Sequence, residues 1–178
     1  MKYALIILGL LVFSSCLDIS KQQHLDQLST LEKRVDSIQV EFEQLKKDTI
    51  EEVIYTMKET NIKIKDNIGD DTIDIEMAKK LEEYGKIFRQ LTAIESYNNK
   101  ILFGSQDIKN TVGKLYRDIE SGNGERVNYE KFVKFETKKV KELQNLLTDL
   151  ERIQRDNIQA FKQVHPEIEK FVSSLTAN

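Results

Sequence analysis

The 178-residue chain is 39% apolar and 32% charged, with a formal charge of -3, one Pro, seven Gly and no Trp. Abundant Glu, Lys, Leu, Ile and Gln with so few breakers favour long helices, and the scarcity of alternating strand patterns excludes an all-β fold. So mild a charge balance makes nucleic acid an unexpected partner, since phosphate binding needs a concentrated basic face. The single cysteine, Cys16, excludes an intramolecular disulfide.

Met1-Lys2 gives a short positive start, and Tyr3 to Phe13 is an apolar run of eleven residues followed by Ser14-Ser15-Cys16. A spanning helix needs ~20 apolar residues, so residues 1–15 read as a signal peptide with a short apolar centre. The stretch Val12-Phe13-Ser14-Ser15-Cys16 resembles the lipobox of bacterial lipoproteins. The resemblance implies cleavage between Ser15 and Cys16, a diacylglycerol joined to the Cys16 thiol through a thioether, and Cys16 as the acylated (palmitate-bearing) N-terminus. Phe13 stands where most lipoboxes carry Leu. Bacteroidetes-type lipoproteins tolerate Phe there, and the Lys-, Ile- and Asn-rich composition suits such a source. An ordinary secreted protein is disfavoured, because a bulky Phe13 lies three residues before the cut. Multiple acyl chains anchor stably where one is marginal. The resemblance also implies sorting: Asp18 falls one place late for the acidic inner-membrane retention signal, and Leu17 to Lys21 holds one acid rather than a surface-export cluster. Both point to the outer membrane, facing the periplasm.

Residues 16–24 are read as a lipidated polar tether, with Ser20 and Gln23 matching a capping box that opens the first helix. Leu28, Leu31, Val35, Ile38, Phe42 and Leu45 then alternate steps of three and four, a heptad seam. The seam breaks after Lys47 and resumes as Ile50, Ile54, Met57, Ile64 and Ile68. Asn67 to Asp71 supplies turn chemistry. The second run carries Met77, Leu81, Tyr84, Phe88, Leu91, Ile94, Ile101, Ile108, Val112, Leu115 and Ile119. Polar Asn98 and Ser105 occupy two of its seam positions, and Leu91 to Ile94 reads as a stammer. Gly104-Ser105 is expected to kink or split this helix. Ser121-Gly122-Asn123-Gly124 is a second turn. The third run carries Tyr129, Phe132, Val133, Val140, Leu143, Leu147, Leu150, Ile153, Ile158, Phe161 and Val164. His165-Pro166 should end it, because the residue before Pro avoids the helical region, and Pro166 suits the first position of a short last helix.

Three runs of about 45, 48 and 39 residues each span roughly 60–70 Å, and tight turns between helices of similar length make neighbours antiparallel. The expected fold is all-α: an elongated antiparallel three-helix bundle of coiled-coil character, with a short C-terminal helix after Pro166. Residues 25–178 form the single bundle domain.

Little chemistry suggests itself. His24 and His165 lie far apart in sequence without a nearby Cys, which does not make a transition-metal site. Asp66, Asp70, Asp71, Asp74 and Glu76 lack the spacing of a calcium loop and read as caps and solubilising charge. Gly122-Asn123-Gly124-Glu125 is a turn rather than a phosphate loop, since no Gly-Lys-Ser/Thr follows. Lys134, Lys138 and Lys141 share a face with Glu130, Glu136 and Glu142 interleaved, as in a solvated ion-paired surface. Tyr84, Phe88, Tyr129, Phe132, Phe135 and Phe161 read as core. No catalytic set, metal or cofactor is expected, and Cys16 is the one lipidation site. The function expected is a membrane-anchored structural or protein-interaction module of the cell envelope, held to the membrane through the lipid on Cys16. The alternative is a ligand carrier or holdase-like chaperone with a groove between splayed helices.

Overall fold

The computed structural model describes the backbone of residues 2–45, 47–68 and 73–176, and the side chains of residues 19–45, 49–68 and 73–176. Among the described residues the fold is all-α, without a strand. Five α-helices follow in order: α1 (Lys2–Gln44), α2 (Lys47–Asn67), α3 (Ile75–Thr92), α4 (Ile94–Ser121) and α5 (Tyr129–Thr176), with a 3-10 turn at Arg126–Asn128 before α5.

The chain divides into two compact units. The first holds residues 1–43 and 101–145, and the second holds residues 44–100 and 146–178. In the first unit α1 runs antiparallel to α4: Lys21 Nζ donates to the Glu120 carbonyl at 2.8 Å, and Lys109 pairs with Asp36 at 2.6 Å. The first half of α5 runs back along α4, with Lys139 on Asp107 at 2.7 Å and Thr111 donating to Glu136 at 2.8 Å. Leu28, Val35, Ile38, Ile101, Ile108, Val112, Ile119, Val133, Val140 and Leu143 form its buried centre. In the second unit α2, α3 and the second half of α5 repeat the up-down-up plan around Ile50, Val53, Met57, Tyr84, Ile87, Leu91, Leu147, Leu150, Phe161 and Ile168. Each unit therefore has antiparallel neighbours joined in a three-helix arrangement, and burial of the apolar stripes is what makes these long helices stable.

The helices and their buried stripes depart from the sequence reading at several places. The Ser20–Gln23 box does not open the first helix, because α1 is already helical there and Ile19-Ser20-Lys21 contains no Gly or Pro to stop it. The first run is cut between Gln44 and Lys47, where the heptad phase slips. The buried stripe of α2 passes through Val53 rather than Ile54. The second run is interrupted at Ala93 and not at Gly104-Ser105. Ile87 rather than Phe88 is the buried seam residue, so Tyr84, Ile87, Leu91 and Ile94 keep the alternation and no stammer exists. Just before the interruption the Thr92 hydroxyl donates to the Phe88 and Arg89 carbonyls at 3.0 and 3.1 Å, a contact that Thr111 repeats inside the unbroken α4. At Gly104 the helix runs straight on, and the missing Cβ lets Leu143 of α5 approach: a Cβ built there would sit 3.2 Å from its Cδ1. Ser105 is buried and satisfied by donating to the Ile101 carbonyl at 2.7 Å.

A further departure is at Pro166. Instead of starting a separate short helix it lies inside α5, which continues to Thr176. The reason is the seam. Buried positions 129, 133, 136, 140, 143, 147, 150, 154, 157, 161, 164 and 168 alternate steps of four and three without a slip. Continuing the helix keeps Ile168 and Val172 buried in line with Phe161 and Val164, and that burial outweighs the backbone hydrogen bond proline forfeits. The seam also carries Gln154 and Asn157 in place of the expected Ile153 and Ile158, and it leaves Phe132 and Phe135 exposed rather than in the core.

Candidate functional site

The residues the sequence singles out, Ser15 and Cys16, lie along the backbone of α1, and their side chains fall outside the described residues. The described part of that end of the first unit begins at Ile19, which is 57% exposed. Beside it α4 stops in a Schellman-type cap. Gly122 takes a φ of 72°, its N–H donates to the Ile119 carbonyl at 3.1 Å, and the Asn123 N–H reaches back to the Asp118 carbonyl at 2.8 Å. Gly124, at a φ of 85°, turns the chain again, and the Tyr129 hydroxyl clips the loop by donating to the Asn123 carbonyl at 2.5 Å. The loop is thus held firmly while Val127, in the 3-10 turn that leads into α5, stays 84% exposed.

The densest buried chemistry lies in the second unit. His165 sits between Phe161, at 4.4 Å between ring centroids, and Tyr84, at 5.8 Å. Its Nδ1 lies 2.9 Å from the Tyr84 hydroxyl and its Nε2 lies 3.4 Å from Glu169. With its side chain 13% exposed, His165 is a part of the packing. Burial pushes the Tyr84 hydroxyl up to about 12; the Thr60 hydroxyl beside it pulls the other way, and Glu169 adds to the rise. Lys80 bonds to Glu167 across the same pair of helices. The half-buried Lys80 ammonium is held above its ordinary range by Glu167 and Glu76.

His24 is in the first unit, where its Nδ1 is buried without a hydrogen-bond partner, along a groove of about 760 Å³ that also takes in Gln27, Leu31, Glu130 and Val133. A second cavity, of about 420 Å³, lies in the second unit at the α3–α4 interruption, where Ile50, Ile54, Leu91 and Ile94 form an apolar wall near Asn98 and Gln154. Among the described residues no three His, Cys, Asp or Glu side chains converge as ligands for one ion. Of the acids around the first turn, Asp74 caps α3 by accepting the Met77 N–H at 2.8 Å, while Asp70 and Asp71 lie outside the described residues. On the lysine face Lys134 pairs with Glu130 at 2.6 Å and Lys138 with Glu142 at 3.6 Å. Lys139 turns inward: burial would lower its pKa, but Asp107 and Glu136 hold it above the ordinary value.

Sequence reasoning missed the Tyr84–His165 pair, which joins residues 81 apart, and the buried Glu136, whose heptad position was its signal. Among the described residues no helix is long and apolar enough to cross a membrane. Set against protein families, curated proteins and solved structures, the chain matches none of them.

Proposed function

We propose that the chain is a lipid-anchored protein of the bacterial cell envelope, with the lipid on Cys16 and the helical body serving as a structural or protein-interaction module. The observation that carries this reading is the run Val12 to Cys16 at the end of an eleven-residue apolar segment. That segment is too short to span a bilayer and ends in the small residues a lipoprotein signal peptidase needs. The body supports it by offering long surfaces of mixed charge on a firm heptad core. The outer membrane, on its periplasmic side, is the location proposed. Growth with labelled palmitate tests the anchor: the natural chain takes up label and Cys16→Ser does not, and equal labelling of both rejects the proposal.

The cavity beside Leu91 and Ile94 favours one other reading, a carrier of a small apolar ligand. Native mass spectrometry separates the two. A carrier retains a bound mass after purification, whereas an interaction module flies at its own mass.

A further inference from the structure

The end of the first unit that leads to Cys16 also exposes apolar side chains that no element covers among the described residues. Lys21 bonds to the Glu120 carbonyl, so this part of α1 stands level with the last turn of α4. Because α1 and α4 are antiparallel, residues before Lys21 and the loop after Ser121 project from the same end. Cys16 is five residues before Lys21 along α1, roughly 8 Å of helix, and Ile19 is roughly 5 Å from it. An acylated Cys16 therefore holds this end within the thickness of the lipid headgroup layer.

The loop that meets the membrane there is unusual in its make-up. Ser121 to Asn128 is polar apart from Val127, the most exposed large apolar residue among those described, at 84%. Its backbone is fixed by the two positive-φ glycines and the Tyr129 clip, so Val127 is presented rather than left to fold away. Basic groups flank it. Arg126 and Lys131 make no ion pair among the described residues; of the acids beside them, Glu130 is paired with Lys134, while Glu125 accepts from the neutral Asn128 amide at 2.8 Å and keeps its charge. Apolar side chains at the acyl boundary with cations at phosphate depth is the pattern of interfacial binding.

We propose that Val127 and Ile19 insert into the bilayer interface beside the lipid of Cys16, with Arg126 and Lys131 against lipid phosphates, so that the first unit stands on the membrane at a fixed contact rather than swinging on a free tether. This rests on the acylation of Cys16 proposed above. The absence of tryptophan in the chain makes the test clean. The full-length acylated protein with Val127→Trp is reconstituted in phosphatidylethanolamine–phosphatidylglycerol vesicles whose acyl chains carry bromine. A second protein carries Val40→Trp, 24 residues along α1 from Cys16 and 53% exposed, roughly 36 Å away along the helix. The expected result is blue-shifted emission from Trp at position 127, with about half or more of its intensity quenched by bromine, and water-like, unquenched emission at position 40. Acylated, vesicle-bound protein whose emission at 127 matches that at 40 overturns the contact while leaving the anchor standing. Protein with no acyl mass on Cys16 overturns both.

Discussion

The Tyr84 hydroxyl lies 2.9 Å from His165 Nδ1, and the two rings are within 9° of parallel. The contact ties α3 to the part of α5 just before Pro166, on a tyrosine that is wholly buried. Because burial lifts the hydroxyl to about 12, the folded chain keeps this proton to higher pH than the unfolded one. The stability it contributes is complete below pH 10, where a tyrosine in the unfolded chain begins to ionise, and is lost as pH rises through the folded value near 12. A separation of that size between folded and unfolded chains corresponds to about 2–3 kcal/mol. Urea titrations at pH 7 to 12 should show Tyr84→Phe less stable than the natural chain by about 1–3 kcal/mol at neutral pH, with that gap closing above pH 10. A constant gap across the range argues against the buried hydroxyl.

Pro166 is exposed in the interior of α5, where it leaves the Lys162 carbonyl without its helical donor. Pro166→Ala restores that donor without disturbing the buried seam. The variant should be more stable by about 1–3 kcal/mol in urea unfolding, given the ~3 kcal/mol penalty of proline in a helix interior. A loss of stability instead means the helix does not run through position 166.

Gly104 and Leu143 make the closest approach at any glycine among the described residues. Gly104→Leu should lower stability by about 1–3 kcal/mol through overpacking. In the Leu143→Ala background the same substitution should cost much less, because the removed side chain is what it meets. Additive effects in this double-mutant cycle would place the two residues out of contact.

Leu147 is fully buried, whereas Lys138 is largely exposed and pairs with Glu142 at 3.6 Å. Leu147→Ala should cost about 2–5 kcal/mol from lost burial and a cavity. Lys138→Ala should cost well under ~1 kcal/mol, since an exposed ion pair is screened and entropically expensive. Guanidinium unfolding of the two variants gives the comparison directly. Similar losses would contradict the heptad assignment of α5.

What the sequence makes legible is set by the periodicity of the buried stripes. The run from Tyr129 to Ile168 holds one heptad phase, and from it the length and buried face of α5 follow. The same phase reassigns Gln154 and Asn157 to the core and Ile153 and Ile158 to its flanks, a choice hidden when apolar residues are taken as core by type alone. Phe88 misleads in the same way, since the neighbouring Ile87 has the right phase. The expectation at Pro166 fails because it weighs a local backbone preference of a few kcal/mol without the burial of Ile168 and Val172 beyond it. The break at Ala93 falls inside an unbroken heptad phase, and the Tyr84–His165 pair depends on tertiary register. Neither has a trace in local pattern. For the proposed anchor, the run Val12 to Cys16 is read from the sequence alone, while the exposed Val127 gains meaning only once α1 and α4 are seen to end side by side.

The two units are interleaved along the chain, and this constrains the order in which they can be completed. A ribosome or a secretion channel delivers residues from the N-terminus, yet the first unit closes only when residues 129–145 arrive, and the second only with residues 146–176. Until roughly the last quarter of the chain emerges, neither core has its third helix, and α2 against α3 is the largest piece that can assemble from consecutive residues. A nascent chain built this way stays open and threadable through most of its synthesis, then gains both cores in quick succession as a single helix, α5, is laid down.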